Sequence, residues 1–222
     1  MRSAAAGIDP AADSGEFMTG DHLYVYGIVP AADFELDVEG VGGAERAYTV
    51  TAGGLSAVVS DADTTDPDRT TESMTAHDRV LSAVLDERTV VPMSFGMAFN
   101  DERTLRNVLS GGRRAFQTAL DEVEGTVELG VKVVANGSTI DRASARSDTR
   151  DRLEPTAVDV VENDLFSDRL LVNDAYLVER ADRDAFDEAV GELERDLDDA
   201  VVQYTGPFAP YNFVDIRIGA QQ

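Results

Sequence analysis

The sequence predicts an α+β fold made of two small ferredoxin-like units, each an antiparallel sheet with helices. Three observations predict it. Short β-branched and aromatic runs are separated by glycine or proline turns, the pattern of antiparallel hairpins. Apolar stripes at helical spacing fall between those runs. No repeat of about 20–50 residues is visible, which removes solenoids and propellers. The 222 residues divide near residue 125 into an N-terminal unit over 18–125 and a C-terminal unit over 126–222. Residues 1–17, MRSAAAGIDPAADSGEF, lack periodicity and precede a second methionine, Met18, so they read as an added leader or a disordered extension.

The elements follow in order. His22–Val29 (HLYVYGIV) is an apolar run stopped by Pro30, a buried strand. Arg46–Val50 and Leu55–Ser60 flank Ala52-Gly53-Gly54 as a hairpin. Asp66-Pro67 offers a helix start, and Met74, His77, Leu81, Val84 and Leu85 form one helical stripe. Thr89–Phe99 is apolar but broken by Pro92 and Gly96, which suits a bent or edge strand. Asn100 can cap a helix whose stripe runs from Leu105 to Val123, with a kink expected at Gly111-Gly112. Thr126–Val134 alternates with period two, placing Val127, Leu129, Val131 and Val133 on one face. Residues 136–154 are polar, a surface loop or a weak exposed helix. Leu170–Val178 reads as a strand. Asp182 heads a helix with Phe186, Ala189, Val190, Leu193 and Leu197 on one face. Val201–Thr205 and Phe213–Ile218 are strands around a turn at 206–210.

Composition excludes several functions. There are no cysteines, so disulfide scaffolds, thiolate metal sites and cysteine nucleophiles are out. No apolar run approaches the roughly 18 residues of a membrane span, and no signal-peptide pattern opens the chain; it reads as a soluble cytoplasmic protein. Asp and Glu number 43 against 19 Lys and Arg, a net charge of −24, and Lys132 is the single lysine. That balance leaves no footprint for nucleic acid and would be repelled by an anionic membrane. Acidic excess with lysine nearly eliminated points to a halophile, because like charges a few ångströms apart are screened only by molar salt.

The motif search for chemistry fails. Gly40-Val41-Gly42-Gly43 begins like a dinucleotide loop, but Glu45 stands where the third glycine belongs, and the segment reads as a turn. Asp61, Asp63 and Glu72 have calcium-loop spacing, yet Asp66-Pro67 occupies the position of the sharp glycine turn, so a solvated loop is the better reading. His22 and His77 have no second histidine near in sequence and read as packed or surface side chains. No carboxylate pair stands out in so acidic a chain. No catalytic residue, metal or cofactor is assigned.

Two uncharged segments stand apart from the acidic background. One is Arg88 to Gly96, with Pro92, Met93, Phe95 and Gly96; the other is Tyr204 to Val214, with Gly206, Pro207, Phe208, Pro210, Tyr211 and Phe213. Rigid backbone and large rings suit either core packing at bent strands or a docking surface for a hydrophobic partner. Phe208 and Tyr211 are expected beside the junction of the two units.

Leu23-Tyr24-Val25-Tyr26-Gly27-Ile28, Val91-Pro92-Met93-Ser94-Phe95-Gly96 and Tyr204 to Val214 occur in an order that closely resembles the gas vesicle protein F/L family. Asp164 to Leu170 and the acidic composition are most similar to its haloarchaeal F-type members. Phe208 stands where related proteins often carry tryptophan. The resemblance implies two modified ferredoxin-like domains, no catalytic activity and no cofactor. It implies an accessory or minor component of gas vesicle formation whose partners are the hydrophobic shell protein and other accessory proteins. The residues themselves leave open a small-molecule-binding regulatory protein or, on the same scaffold, an acid/base enzyme.

Overall fold

The computed structural model of the chain describes residues 22–136, 141–197 and 199–214. The expected leader 1–17 and most of the expected last strand, 215–218, lie outside these residues.

The N-terminal half is organised around β1 (His22–Pro30). Its neighbours in sequence are β2 (Glu35–Leu36), β3 (Ala47–Ala52), β4 (Leu55–Ala62) and α1 (Thr71–Leu85). Then come β5 (Val91–Pro92), β6 (Ala98–Phe99), α2 (Glu102–Gly111) and α3 (Arg113–Glu122). The strands form one six-stranded sheet in the order β2-β3-β4-β1-β5, with β6 also on β1. The β3–β4 hairpin closes through Gly53 and Gly54, both at positive φ (63° and 83°), as a two-residue turn of matching twist requires.

Burial on both faces explains why β1 shows no hydrophobic alternation. Val25 lies opposite Val59 and Gly27 opposite Val58, so Tyr26 is an extra residue, a bulge. The bulge swaps faces. Before it, Leu23 and Val25 face α2 and α3 while Tyr24 and Tyr26 face α1; after it, Ile28 joins the first cluster and Val29 the second.

The C-terminal half runs β7 (Thr126–Ala135), α4 (Arg142–Leu153), β8 (Asp159–Glu162), β9 (Leu170–Glu179), α5 (Arg183–Asp196) and β10 (Ala200–Phe208). Its strands pair antiparallel in the order β10-β7-β9-β8, the ferredoxin-like β-α-β-β-α-β arrangement. Val127, Leu129, Val131 and Val133 turn inward as the alternation predicts, the first three meeting Leu153 of α4 and Phe186, Val190 and Leu193 of α5, and Val133 packing with Ala145 of α4. The opposite face, with Glu128, Gly130, Lys132 and Val134, carries neither of these helices. One continuous hydrophobic cluster contains Tyr24, Tyr26 and Val80 from the first half and Leu129, Tyr176 and Phe186 from the second. The two sheets therefore share a core.

Several local expectations are corrected. α1 starts at Thr71, not at Asp66-Pro67, because the Thr70 hydroxyl accepts from the Ser73 N–H at 3.1 Å. Its buried stripe is Ala76, His77, Val80, Leu81, Val84 and Leu85, which leaves Met74 46% exposed. Asp101, not Asn100, caps α2, accepting from the Thr104 N–H at 2.7 Å. The kink at Gly111-Gly112 is a full break between α2 and α3, where a Cβ on Gly112 would stand 2.7 Å from the Phe116 ring. β8 has no counterpart in the sequence reading. β10 continues through Gly206 and Pro207 to Phe208 instead of turning there, with a bulge between Thr205 and Phe208. Tyr211–Phe213 form a short 3-10 turn, so Phe213 does not open a strand.

Candidate functional site

The concentration of buried polar groups lies where α1, β1, the 92–96 segment and the C-terminal tail meet. Tyr24 and Tyr26 project from one face of β1 toward α1, on which His77 occupies the buried stripe. A buried phenol needs a partner, and each has one. Tyr24 Oη lies 2.8 Å from His77 Nδ1 and accepts from the Gly96 N–H at 3.1 Å. On the other side of the ring, His77 Nε2 is 3.1 Å from the Met93 carbonyl oxygen and 2.8 Å from Tyr211 Oη. A carbonyl only accepts, so Nε2 carries the proton and Nδ1 accepts from the Tyr24 hydroxyl. Tyr211 can then donate to Asp78, on the same helix.

Burial governs the electrostatics. It holds the His77 pKa down at about 4, so the ring is neutral at pH 7, against a smaller opposing effect from the Met93 carbonyl. Burial also raises the Tyr24, Tyr211 and Asp78 pKa values, the last offset by the Tyr211 hydroxyl. Aromatic edges close the cluster: Phe95 lies 6.0 Å from Tyr24 and 5.9 Å from His77 by ring centroids, and the Arg69 guanidinium sits 5.4 Å from the Phe95 centroid. Beside it, Tyr26 Oη accepts from the Val41 N–H at 2.9 Å and pairs with Ser60 Oγ at 2.8 Å. This gives the glycine run its role. A Cβ on Gly40 would fall 2.3 Å from Tyr26 Oη, so the loop reaches the hydroxyl only with glycine there.

The tail fastens the halves together. Asn212 donates twice to the buried Glu128 carboxylate, from its N–H at 2.8 Å and its side-chain amide at 2.6 Å. Burial raises the Glu128 pKa and these two bonds lower it. Phe213 and Val214 pack on the α2–α3 cluster. Arg180 adds a second tie, with its N–H to the Gly125 carbonyl and its guanidinium to the Leu85 carbonyl at the end of α1.

The two uncharged segments are only partly united. Pro92 is buried opposite Gly27; Met93 donates its N–H to the Tyr26 carbonyl at 2.8 Å and meets His77, as do Phe95 and, through Tyr24, Gly96. Pro210 is buried beside Tyr211, which completes the cluster. Tyr204, Gly206, Pro207 and Phe208 stay on β10: the Tyr204 ring lies 6.0 Å from Phe186, its hydroxyl donates to Asp187, and Phe208 stands opposite Glu128, 41% exposed. Sequence reasoning missed Tyr24, Tyr26, Asp78, Glu128 and Asn212 as parts of this junction. The available signal was Tyr24 and Tyr26 two apart on a strand, hence on one face. His22 opens β1 and is not part of the junction's bonding. Asp61 accepts from the Tyr48 hydroxyl at 2.6 Å, and Glu72 lies in the first turn of α1.

The chain matches the profile described as gas vesicle synthesis protein GvpL/GvpF over residues 22–150 and 141–215. It belongs to the GvpL/GvpF family. Gas vesicle protein F1 of Halobacterium salinarum is 55% identical over 206 residues, covering 91% of this chain and 97% of the relative. Gas vesicle protein F of Haloferax mediterranei is also 55% identical, over 207 residues, with 91% and 97% covered. Gas vesicle protein L of a Streptomyces species is 28% identical over 240 residues, with 89% and 81% covered. The crystal structure of GvpF from Anabaena superposes with a TM-score of 0.78 at 19% identity, covering 90% of this chain and all of that one. The α+β fold is thus that of GvpF, and the relatives place the chain among gas vesicle proteins of halophilic archaea. Within the GvpL/GvpF frame, the His77 junction is a matched set of donors and acceptors that fixes the geometry of two sheets.

Proposed function

We propose that this protein is a non-enzymatic accessory or minor structural component of gas vesicle formation. It binds the hydrophobic shell protein and other accessory proteins in the cytoplasm, in association with gas vesicles. Two domains, 18–125 and 126–222, carry the role. The observation that supports it is apolar exposure on a chain of net charge −24: Phe166 is 76% exposed, Val201 47%, Phe208 41% and Tyr211 37%. Three of the four lie on or just after β10. Rings exposed on a charged, soluble surface suit docking of an apolar partner, while the acidic remainder keeps the complex in solution.

The test is capture of purified shell protein in about 3 M KCl, where close acidic charges are screened. Phe208→Ala should weaken capture about ten-fold with little change in Tm, since the ring is half free. Tyr211→Ala should lower Tm as well, because it also empties the His77 junction. Full capture by both variants would overturn the assignment of these rings to docking; no capture by the parent protein would overturn the role itself.

A further inference from the structure

A charge taken out of water is costly unless an opposite charge and hydrogen bonds replace its hydration. Beneath α4 the charges are paired unevenly. The helix contributes little apolar area: its buried residues are Ala145, Thr149 and Leu153, where α5 buries Phe186, Val190 and Leu193. Its four arginines hold it instead. Arg142 donates to the Asp168 carbonyl at 3.1 Å, and Arg152 pairs with Glu192 and Asp196 of α5. Arg146 and Arg150, one turn apart, both pair with Glu162 of β8, Arg150 at 2.6 Å. Arg150 also meets Glu154 at 3.0 Å.

Glu162 has a neighbour of its own sign. Asp174 of β9 stands directly opposite it, and Val160 and Tyr176, the next pair on that face, belong to the shared core, so both carboxylates lie on the α4 side of the sheet. Like charges opposed across strands repel. Asp174 is buried, 5% exposed, yet its Oδ2 has no hydrogen-bond partner, and neither has the buried Nε of Arg146. Two cations thus share one anion while a second anion beside it keeps an open oxygen.

We infer that α4 is a two-position cover in which Arg146 exchanges Glu162 for Asp174, passing the hold of the helix from the edge strand β8 to β9. Opposed residues on antiparallel strands are about 5 Å apart, a distance that an arginine covers by changing rotamers. Arg150 stays, because Glu154 holds it as well. In the position described, both arginines grip β8, whose one strand neighbour is β9. In the other, Arg146 satisfies Asp174, α4 settles over β9, and β8 keeps Arg150 alone. Each position leaves one carboxylate with less than it can accept, and that near-balance is what lets one packed element hold two arrangements.

The experiment uses the full chain in about 3 M KCl and reads amide hydrogen exchange at residues 159–162 through a double-mutant cycle, with Tm checked for each variant. Asp174→Asn removes the competing charge at constant size, so β8 should exchange about three-fold or more slower at equal or higher Tm. In an Arg146→Gln background, where nothing moves between the carboxylates, the same change should leave exchange at β8 unaltered. Slowing in both backgrounds is static repulsion between Asp174 and Glu162 and overturns the switch. Unaltered exchange in Asp174→Asn, the behaviour of a carboxyl that burial keeps protonated, overturns it too, as does faster exchange. Should Arg146→Gln unfold, the Arg146 Nε–H resonance decides. As an average over two positions it should move one way in Asp174→Asn and the opposite way in Glu162→Gln; movement in the same direction, or none, overturns the exchange.

Discussion

At the scale of single residues, His77 is the most constrained side chain described. It serves Tyr24 on one nitrogen and Met93 with Tyr211 on the other, and it does so neutral. The folded pKa of about 4 lies below the ordinary histidine value of 6.5. A depressed histidine gives stability that is complete above about pH 6.5 and lost as pH falls toward 4, because the unfolded chain takes the proton first. The raised carboxylates Asp78 and Glu128 act in the opposite sense, so the comparison must be with a variant that keeps them. Relative to His77→Gln, the parent's advantage in urea unfolding should shrink by about 2 kcal/mol between about pH 7.5 and about pH 5. A gap independent of pH would show that the ring is not held neutral by burial. Asn212→Ala should destabilise by about 1–3 kcal/mol at neutral pH, because it removes one of the two donors to a buried carboxylate. An unchanged urea midpoint would mean that Glu128 is solvated or protonated instead.

At the scale of elements, legibility followed the range of the interaction that shapes each one. β7, β9 and α5 are written in local periodicity, and the structure places them within a residue or two of the expectation. The burial of β1 is legible in HLYVYGIV, but its bulge depends on pairing with β4 and has no mark there. At the start of α1, Asp66-Pro67 has the local pattern of a cap, but Thr70, nearer the apolar stripe, makes the bond. β8 (DVVE) is four residues with acids at both ends, which local pattern does not separate from loop. The junction was the least legible. His77 and Tyr211 are 134 positions apart, and nothing in the residues around either announces the other. What the uncharged segments did announce was an unusual environment, and at 92–96 and 210–213 that environment is a contact between halves.

At the scale of the whole molecule, electrostatics sets the working conditions. Arginine pairs tie elements together, as Arg152 of α4 does with Glu192 and Asp196 of α5. With 43 acids against 19 bases, the acids outnumber the bases more than two to one. Surface pairs contribute little each, so repulsion among the unpaired acids dominates in dilute buffer. Tm should fall steeply, and circular dichroism should lose signal, between about 3 M and about 0.05 M KCl. Indifference to salt over that range would contradict a halophilic surface.

The tail has a consequence for biosynthesis. Every group that residues 209–214 grip, from Glu128 and His77 to the α2–α3 cluster, precedes them in chain order. During translation the strands of both sheets are made before the clasp, so its grip is added last to halves that the shared core and Arg180 already bring together. Quality control by a chaperone or protease would therefore meet a nascent protein in which Glu128 and His77 still lack their partners, and the emergence of residues 209–214 decides when that interval closes.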